Sequence, residues 1–263
     1  SDADYWRVWK TLAADERGIV ANPGPYVESG STFAGWFSDR GAGVQYLFDL
    51  PYDNQPYHGF PIVNNVYACM VADSAPRGGN LPNGVWKDGV VGSDVVDVVT
   101  DSRASWELTS DGVLKIRCQA GRVISVESRP WYDVLRLVTK VEMEAGLQTD
   151  FTLSWFAGTS IVDTEGIFFP EGCKSTNRML QCTYIKTVHE GFALPASVVD
   201  PEAMFEICLM LETLPEGLTF SHLSDAKSFA YLFNACVNLQ GLPDSFALPE
   251  GATSFYYAFN ECR

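Results

Sequence analysis

The stretch FAYLFNACVNLQGLP, residues 229–243, is one copy of a pattern that recurs through the last third of the chain. Its cysteine belongs to a series spaced 26, 28 and 26 residues apart: Cys182, Cys208, Cys236 and Cys262. Apolar residues stand three positions before each cysteine, and three and six positions after the first three. They are Met179, Phe205, Phe233 and Phe259 before it, Ile185, Leu211 and Leu239 three after it, and Val188, Leu214 and Leu242 six after it. Self-similarity at a nearly constant period is the signature of a repeat architecture.

The repeated pattern predicts how the units pack. Each unit has one apolar edge that it cannot bury alone, so neighbouring units stack with like residues over like. We expect the leucine and phenylalanine positions to form a continuous core, with the four cysteines as an interior column of free thiols. Adjacent turns about 5 Å apart bring neighbouring cysteines near disulfide range, but a bridge would distort the stack. For Cys69, Cys118 and Cys173, which follow no pattern, a disulfide stays open.

Segments such as residues 229–243 resemble the BspA-type leucine-rich repeats, whose hallmark is Phe-x-x-Cys-x-x-Leu. The resemblance covers residues from about 175 to 263. The first repeat departs from the hallmark at Met179 and at Val188-His189, as a capping unit does. The resemblance implies a leucine-rich-repeat solenoid, an extracellular or cell-surface location, and a role in adhesion or protein binding.

The region before the repeats has a different composition. All seven tryptophans lie in it, and the last of them is Trp155. Short segments such as Val113–Cys118, Val134–Met143 and Asp150–Phe156 predict strands that follow one another without helices between them. Ser110-Asp111-Gly112 predicts a hairpin turn in front of the first of these strands.

We therefore predict a mostly β protein of two domains. Residues 1–170 form a β-rich domain, an antiparallel sheet or sandwich. Residues 171–263 form a leucine-rich-repeat solenoid of about three repeats and the start of a fourth. Because the sequence stops at Cys262-Arg263, inside the fourth repeat, we expect further repeats or self-association at that edge.

The charge balance limits the classes of partner. The chain carries 33 acidic and 18 basic residues, which is a formal net charge of −15. Such a surface repels phosphate backbones and anionic lipid headgroups, so we expect no nucleic-acid partner. A membrane-spanning helix needs an apolar run of about 20 residues, and the sequence contains none, so we predict no membrane span.

Motifs for catalysis, cofactors and metals are absent from the sequence. It has no phosphate loop, no nucleophile elbow and no His-Glu-x-x-His motif, and its three histidines are far apart. The cysteines form no Cys-x-x-Cys pair of the kind that holds zinc. We therefore predict no catalytic residue, no cofactor and no metal site.

Aromatic residues beside predicted turns are the candidates for ligand contact. Loop aromatics stack on sugars or anchor proteins, but a β-sandwich core also uses tryptophan, and the sequence leaves both roles open. A histidine in one of these segments could line a pocket. The candidate ligand platform consists of Tyr52, Tyr57, His58, Trp86, Trp131 and Tyr132.

The resulting hypothesis is a non-enzymatic binding or adhesion module that presents its repeat surface to a protein or glycan partner. The alternative is a structural component of a larger assembly, such as a phage tail or fibre protein of a virion. A third hypothesis is a glycan-active enzyme, which requires two carboxylates facing each other across a cleft.

Overall fold

The computed structural model describes residues 12, 21–37, 67–86, 95–118, 122–123, 129–144, 147–148, 152–169 and 172–262. The Cα positions divide the chain into two compact units, Ser1–Met70 and Val71–Arg263. Residue 171, where the sequence analysis sets a domain boundary, lies inside the second unit. The division into domains at that residue stays a prediction.

Strands and turns make up nearly all of the described structure, with one 3-10 helix, Tyr132–Leu137, and no α-helix. The expectation of a mostly β chain is therefore confirmed. The described strands form three open sheets, in which β1 pairs with β2, β6 pairs with β8, and the order β3-β4-β5-β7 makes the largest. The strands are β1 Ser31–Phe37, β2 Tyr67–Ala72, β3 Gly78–Trp86, β4 Val95–Leu108, β5 Val113–Cys118, β6 Arg122–Val123, β7 Lys140–Met143 and β8 Leu147–Gln148.

The four-stranded sheet combines both strand directions. β3 with β4 and β4 with β5 pair antiparallel, and the β4–β5 hairpin confirms the predicted turn. Gly112 in this turn has a φ of +87°, and a Cβ there would lie 2.8 Å from the Leu137 carbonyl oxygen. β7 pairs parallel with β5, with Leu114 opposite Val141, which corrects the purely antiparallel expectation. Parallel strands cannot be joined by a tight hairpin, so β5 and β7 are linked by a longer connection. The 3-10 helix lies in this connection, and it replaces the first half of the predicted strand Val134–Met143.

From residue 152 onward the described chain is a succession of similar turns. In each turn two residues four positions apart have positive φ, and these pairs mark five turns in the described residues. N–H groups of one turn donate to carbonyl groups of the next, as from Phe205 to Leu232 over 3.0 Å and from Phe233 to Ala258 over 2.8 Å. Over residues 152–156, the described part of the strand predicted over Asp150–Phe156, the chain forms the first turn instead. The five pairs are Ser154/Gly158, Arg178/Cys182, Ala203/Ile207, Tyr231/Ala235 and Tyr257/Glu261.

These pairs correct the predicted register of the first repeat. They recur at intervals of 24, 25, 28 and 26 residues, so the equivalent of Cys208 is Thr183 rather than Cys182. Thr183 is 3% exposed, and its hydroxyl lies 3.3 Å from the Cys208 sulfur. Cys182 is half-buried and has a φ of 57°. The inward column therefore consists of Thr159, Thr183, Cys208, Cys236 and Cys262.

Two further columns of side chains form the core of the stack. The rings of Phe205 and Phe233 are parallel within 7°, with centroids 5.3 Å apart, and Phe259 follows at 5.7 Å. The adjacent column is completely buried and decreases in size from a tryptophan to an alanine. Its members are Trp155, Met179, Met204, Leu232 and Ala258.

Residues 129–138, which we call the cap segment, cover the first turn. Trp131 Nε1 donates to the Trp155 carbonyl oxygen over 2.9 Å, and the Arg136 guanidinium donates to the Gly158 carbonyl oxygen. The rings of Trp131 and Trp155 meet edge to face, with centroids 5.9 Å apart. No earlier turn of this kind precedes the first one in the described ranges, and side chains of the cap segment donate to its carbonyl groups.

Candidate binding surface

The thiols of the inward column are held by the backbone. Cys208 donates to the Leu180 carbonyl over 3.2 Å, and Cys236 donates to the Phe205 carbonyl over 3.1 Å. Burial raises the pKa of Cys208 from 9.0 to about 12 and raises the pKa of Cys236 as well. Nucleophilic and metal-binding cysteines act as thiolates, so these protonated, buried thiols have a structural role.

Most of the predicted repeat-core residues lie inside the stack. Met179 is buried, but it occupies the column beside the predicted one, because Leu180 is the equivalent of Phe205. The members of the predicted set that are buried are Met179, Ile185, Phe205, Cys208, Leu211, Leu214, Phe233, Cys236 and Leu239.

Four members of the predicted set lie closer to solvent. Cys182 and Cys262 are half-buried, and Leu242 is 44% exposed in the loop after Gly241. Phe259 is 38% exposed because its ring packs on Phe233 from one side, in the last described turn. Their burial is therefore set by position in the stack as well as by residue type.

The predicted ligand platform divides into residues with different environments. Trp131 is 1% exposed inside the cap segment, so it offers no ring face to a ligand. Tyr132 is 62% exposed, and the Arg129 guanidinium lies 5.3 Å from its ring centroid. Trp86 ends β3, and its side chain is outside the described part of the chain. The candidates Tyr52, Tyr57 and His58 lie outside the described residues altogether.

A row of polar side chains, which we call the polar ladder, crosses four successive turns: Gln181, Glu206, Asn234 and Asn260. Gln181 Nε2 donates to Glu206 Oε2 over 2.6 Å, and Asn234 Nδ2 donates to Glu206 Oε1 over 3.0 Å. Asn260 Nδ2 continues the row by donating to Asn234 Oδ1 over 2.9 Å. Hydrogen bonds to a carboxylate are stronger than neutral ones, so Glu206 ties its two neighbouring turns together.

Three tyrosines, which we call the tyrosine cluster, lie in the last two described turns. Tyr231 and Tyr257 occupy equivalent positions, with rings parallel within 7° and centroids 5.7 Å apart. Tyr256 meets Tyr257 edge to face at 4.4 Å and Tyr231 at 5.4 Å. Tyr256 is 59% exposed and Tyr257 is 46% exposed. Each stacked tyrosine precedes a polar-ladder asparagine, Asn234 or Asn260, by three residues.

Sequence reasoning missed both the polar ladder and the tyrosine cluster, although a signal was present. Tyr231 and Tyr257 are 26 residues apart, as are Asn234 and Asn260, and Cys236 and Cys262 share that interval. The same period that marks the core also marks outward positions. Periodic polar and aromatic residues therefore predict a lateral surface of a stack as well as its interior.

A cleft of about 580 Å³ lies beside β7, between the loops of the first two turns. The rings of Phe169 and Phe192 line it, with centroids 5.2 Å apart. Glu142 and Glu190 also line it, and Lys140 forms an exposed ion pair of 3.4 Å with Glu165. The excess of carboxylates disfavours an anionic ligand in this cleft.

The described ranges contain neither a metal-ligand group nor a membrane-spanning helix. Among those residues, no group of three or more His, Cys, Asp or Glu side chains is arranged to hold a metal ion. No helix there has the length and apolar character needed to cross a membrane. The absence of metals and cofactors from the whole chain stays a prediction.

Comparisons with known proteins do not assign this chain to a family. No family model matches the sequence, and no curated protein matches it. A solved structure of a leucine-rich repeat protein from Eubacterium ventriosum has 16% sequence identity and a TM-score of 0.30. The match covers 62% of this chain and 62% of that protein, so it spans less than two thirds of either. A TM-score this low does not show a shared fold, and the BspA-type assignment stays a prediction.

Proposed function

We propose that this protein is a non-enzymatic binding module whose stacked turns form a leucine-rich-repeat solenoid of the BspA type. The recurring Phe-x-x-Cys pattern supports the assignment, because Phe205 stacks on Phe233 in one buried column and Cys208 and Cys236 lie in another. Hydrogen bonds between turns, such as Ile207 N–H to the Asn234 carbonyl over 2.7 Å, are what a solenoid requires.

The turns that carry both the polar ladder and the tyrosine cluster form the proposed partner surface, for a protein or a glycan. The observation that carries this proposal is the arrangement of the three tyrosine rings, which pack on one another with centroids 4.4, 5.4 and 5.7 Å apart. Exposed tyrosines supply large contact area at low entropic cost and are enriched among residues that dominate binding energy. An extracellular or cell-surface location is part of the proposal and follows from the family resemblance.

A binding array of extracellular proteins and glycans tests the proposed function. The full chain and a Tyr256→Ala/Tyr257→Ala double variant are compared, with Leu153→Ala as the matched control, because Leu153 is 46% exposed at the position of the first turn that is equivalent to Tyr256 and lies outside the cluster. We expect the wild type and the control to bind one partner that the double variant releases. Catalytic turnover of a glycan or peptide, or equal binding by all three proteins, would contradict the proposal.

A further inference from the structure

We infer that the tyrosine cluster together with the adjoining polar ladder is a binding site for a neutral glycan. The inference rests on the proposed function, since it names the ligand class of that partner surface. Its three arguments are the geometry of the rings, the hydrogen-bonding capacity of the ladder, and the local charge.

The rings provide a rigid apolar platform. Tyr231 and Tyr257 lie parallel, and Tyr256 packs against both, so the three rings fix one another before any ligand arrives. Binding then costs little side-chain entropy. The C–H face of a pyranose is apolar and packs on an aromatic ring, whereas its hydroxyl groups project from the rim.

The polar ladder matches the hydroxyl groups of such a ligand. A hydroxyl both donates and accepts, and so does the amide of Asn234 or Asn260. Asn234 already donates one hydrogen bond through Nδ2 and accepts one through Oδ1. These two bonds fix the orientation of the amide, and its second N–H and second lone pair are left for a ligand. A ladder with donors and acceptors at successive turns suits a row of hydroxyls better than a purely cationic ligand, which only donates.

Local charge separates a neutral glycan from the competing ligand classes. Glu206 stands in the ladder and Glu261 follows Asn260, so sulfated or sialylated glycans meet like charge, within a chain of net charge −15. The side chains of a basic peptide only donate hydrogen bonds, so they would leave the amide N–H groups of Asn234 and Asn260 without an acceptor. Glu206 is held in the ladder by Gln181 and Asn234, and the amides beside it offer donors as well as acceptors, which favours the neutral ligand.

Affinity electrophoresis of the full chain through gels that contain a soluble neutral polysaccharide tests the inference. The probes are a β-glucan, a galactan and a mannan, with heparin as the anionic comparison and a polyarginine peptide in a parallel titration. We expect at least one neutral polysaccharide to retard the wild type and heparin to leave it unretarded. Tyr257→Ala should weaken retardation about tenfold, because one stacking face is lost.

Leu153→Ala is the control and should migrate as the wild type does, since Leu153 is exposed in the first turn, outside the tyrosine cluster and the polar ladder. Asn260→Asp is the second variant; it keeps the size of the side chain, adds a charge and should also weaken retardation. No retardation by any neutral polysaccharide, or retardation that Tyr257→Ala leaves intact, overturns the glycan inference. Binding of the polyarginine peptide or of an array protein at the same tyrosines would also overturn it, while the proposed binding function would stand.

Discussion

Cys208 shows how a single buried side chain couples the stack to pH. Its thiol donates to the Leu180 carbonyl of the preceding turn and lies 3.3 Å from the Thr183 hydroxyl. Desolvation is the largest cause of its raised pKa, because a thiolate in this apolar column would lose its hydration. The folded state therefore binds the thiol proton more tightly than the unfolded chain does.

We predict that stability falls at alkaline pH through this thiol. Its pKa is about 12 in the fold against 9.0 for an ordinary cysteine, so its contribution is complete below pH 9. The contribution is lost as the pH rises from 9 toward 12, by on the order of 1 kcal/mol at pH 10. Urea unfolding at pH 8 and at pH 10 measures this loss. The free energy of unfolding of Cys208→Ala should differ less between the two pH values than that of the wild type does. An equal difference in both proteins would refute the assignment.

The register of the first repeat leads to a second residue-scale prediction. Thr183 is buried in the inward column, whereas Cys182 is half-buried outside it. Thr183→Ala removes a methyl group and the hydroxyl that donates to the Leu180 carbonyl over 2.8 Å. We expect a loss of about 1–3 kcal/mol in the free energy of unfolding. Cys182→Ala should cost about 0.5 kcal/mol or less, and a larger effect at Cys182 than at Thr183 would restore the register read from the cysteines.

At the scale of elements, the cap segment covers the first described turn of the stack. Repeat arrays need an atypical terminal unit, because an end turn leaves backbone groups and apolar side chains uncovered. Here the 3-10 helix and the residues before it cover the end turn, and the Trp131 indole and the Arg136 guanidinium donate hydrogen bonds to its carbonyl groups. The tryptophan that looked like a ligand platform in the sequence is therefore a structural residue.

Truncation of this tryptophan should be strongly destabilising. Trp131→Ala removes a fully buried ring and the hydrogen bond to the Trp155 carbonyl, so we expect a loss of about 3–5 kcal/mol. Tyr132→Ala, one residue along and exposed, should change stability by about 0.5 kcal/mol or less. Thermal unfolding followed by circular dichroism measures both. Similar melting temperatures for the two variants would show that the cap segment does not support the first turn.

At the scale of the whole molecule, each described turn is hydrogen-bonded to its neighbours. N–H groups of the first turn donate to the second, from Thr152 to Ser175 over 2.9 Å and from Phe156 to Met179 over 3.0 Å. In such arrays stability is a sum of turn and interface contributions, so removal of one end is felt along the stack. The first turn therefore belongs energetically with the repeats that follow it.

We predict that a fragment of residues 171–263 is much less stable than the full chain. It lacks the first turn and the cap segment, which leaves Met179 and Leu180, both 0% exposed in the fold, at an open end. Urea unfolding of fragment and full chain, with a hydrophobic dye as a second probe, gives the comparison. We expect a lower urea midpoint and stronger dye binding for the fragment. An unchanged midpoint would show instead that residue 171 begins an independent domain.

The sequence alone predicted the period, the aromatic and cysteine columns and the β-rich character, because stacking demands the same residue type at the same place in each turn. It misjudged the first repeat because Thr183 takes the place of the cysteine. Ile185 follows Thr183 by two positions, whereas Leu211 follows Cys208 by three. The predicted spacing of three therefore led from Ile185 back to Cys182, one residue before the correct position. The turn at 152–169, the burial of Trp131 and the meeting of three tyrosines were decided by tertiary structure. Each depends on contacts between residues more than 20 positions apart, and local spacing does not encode such contacts.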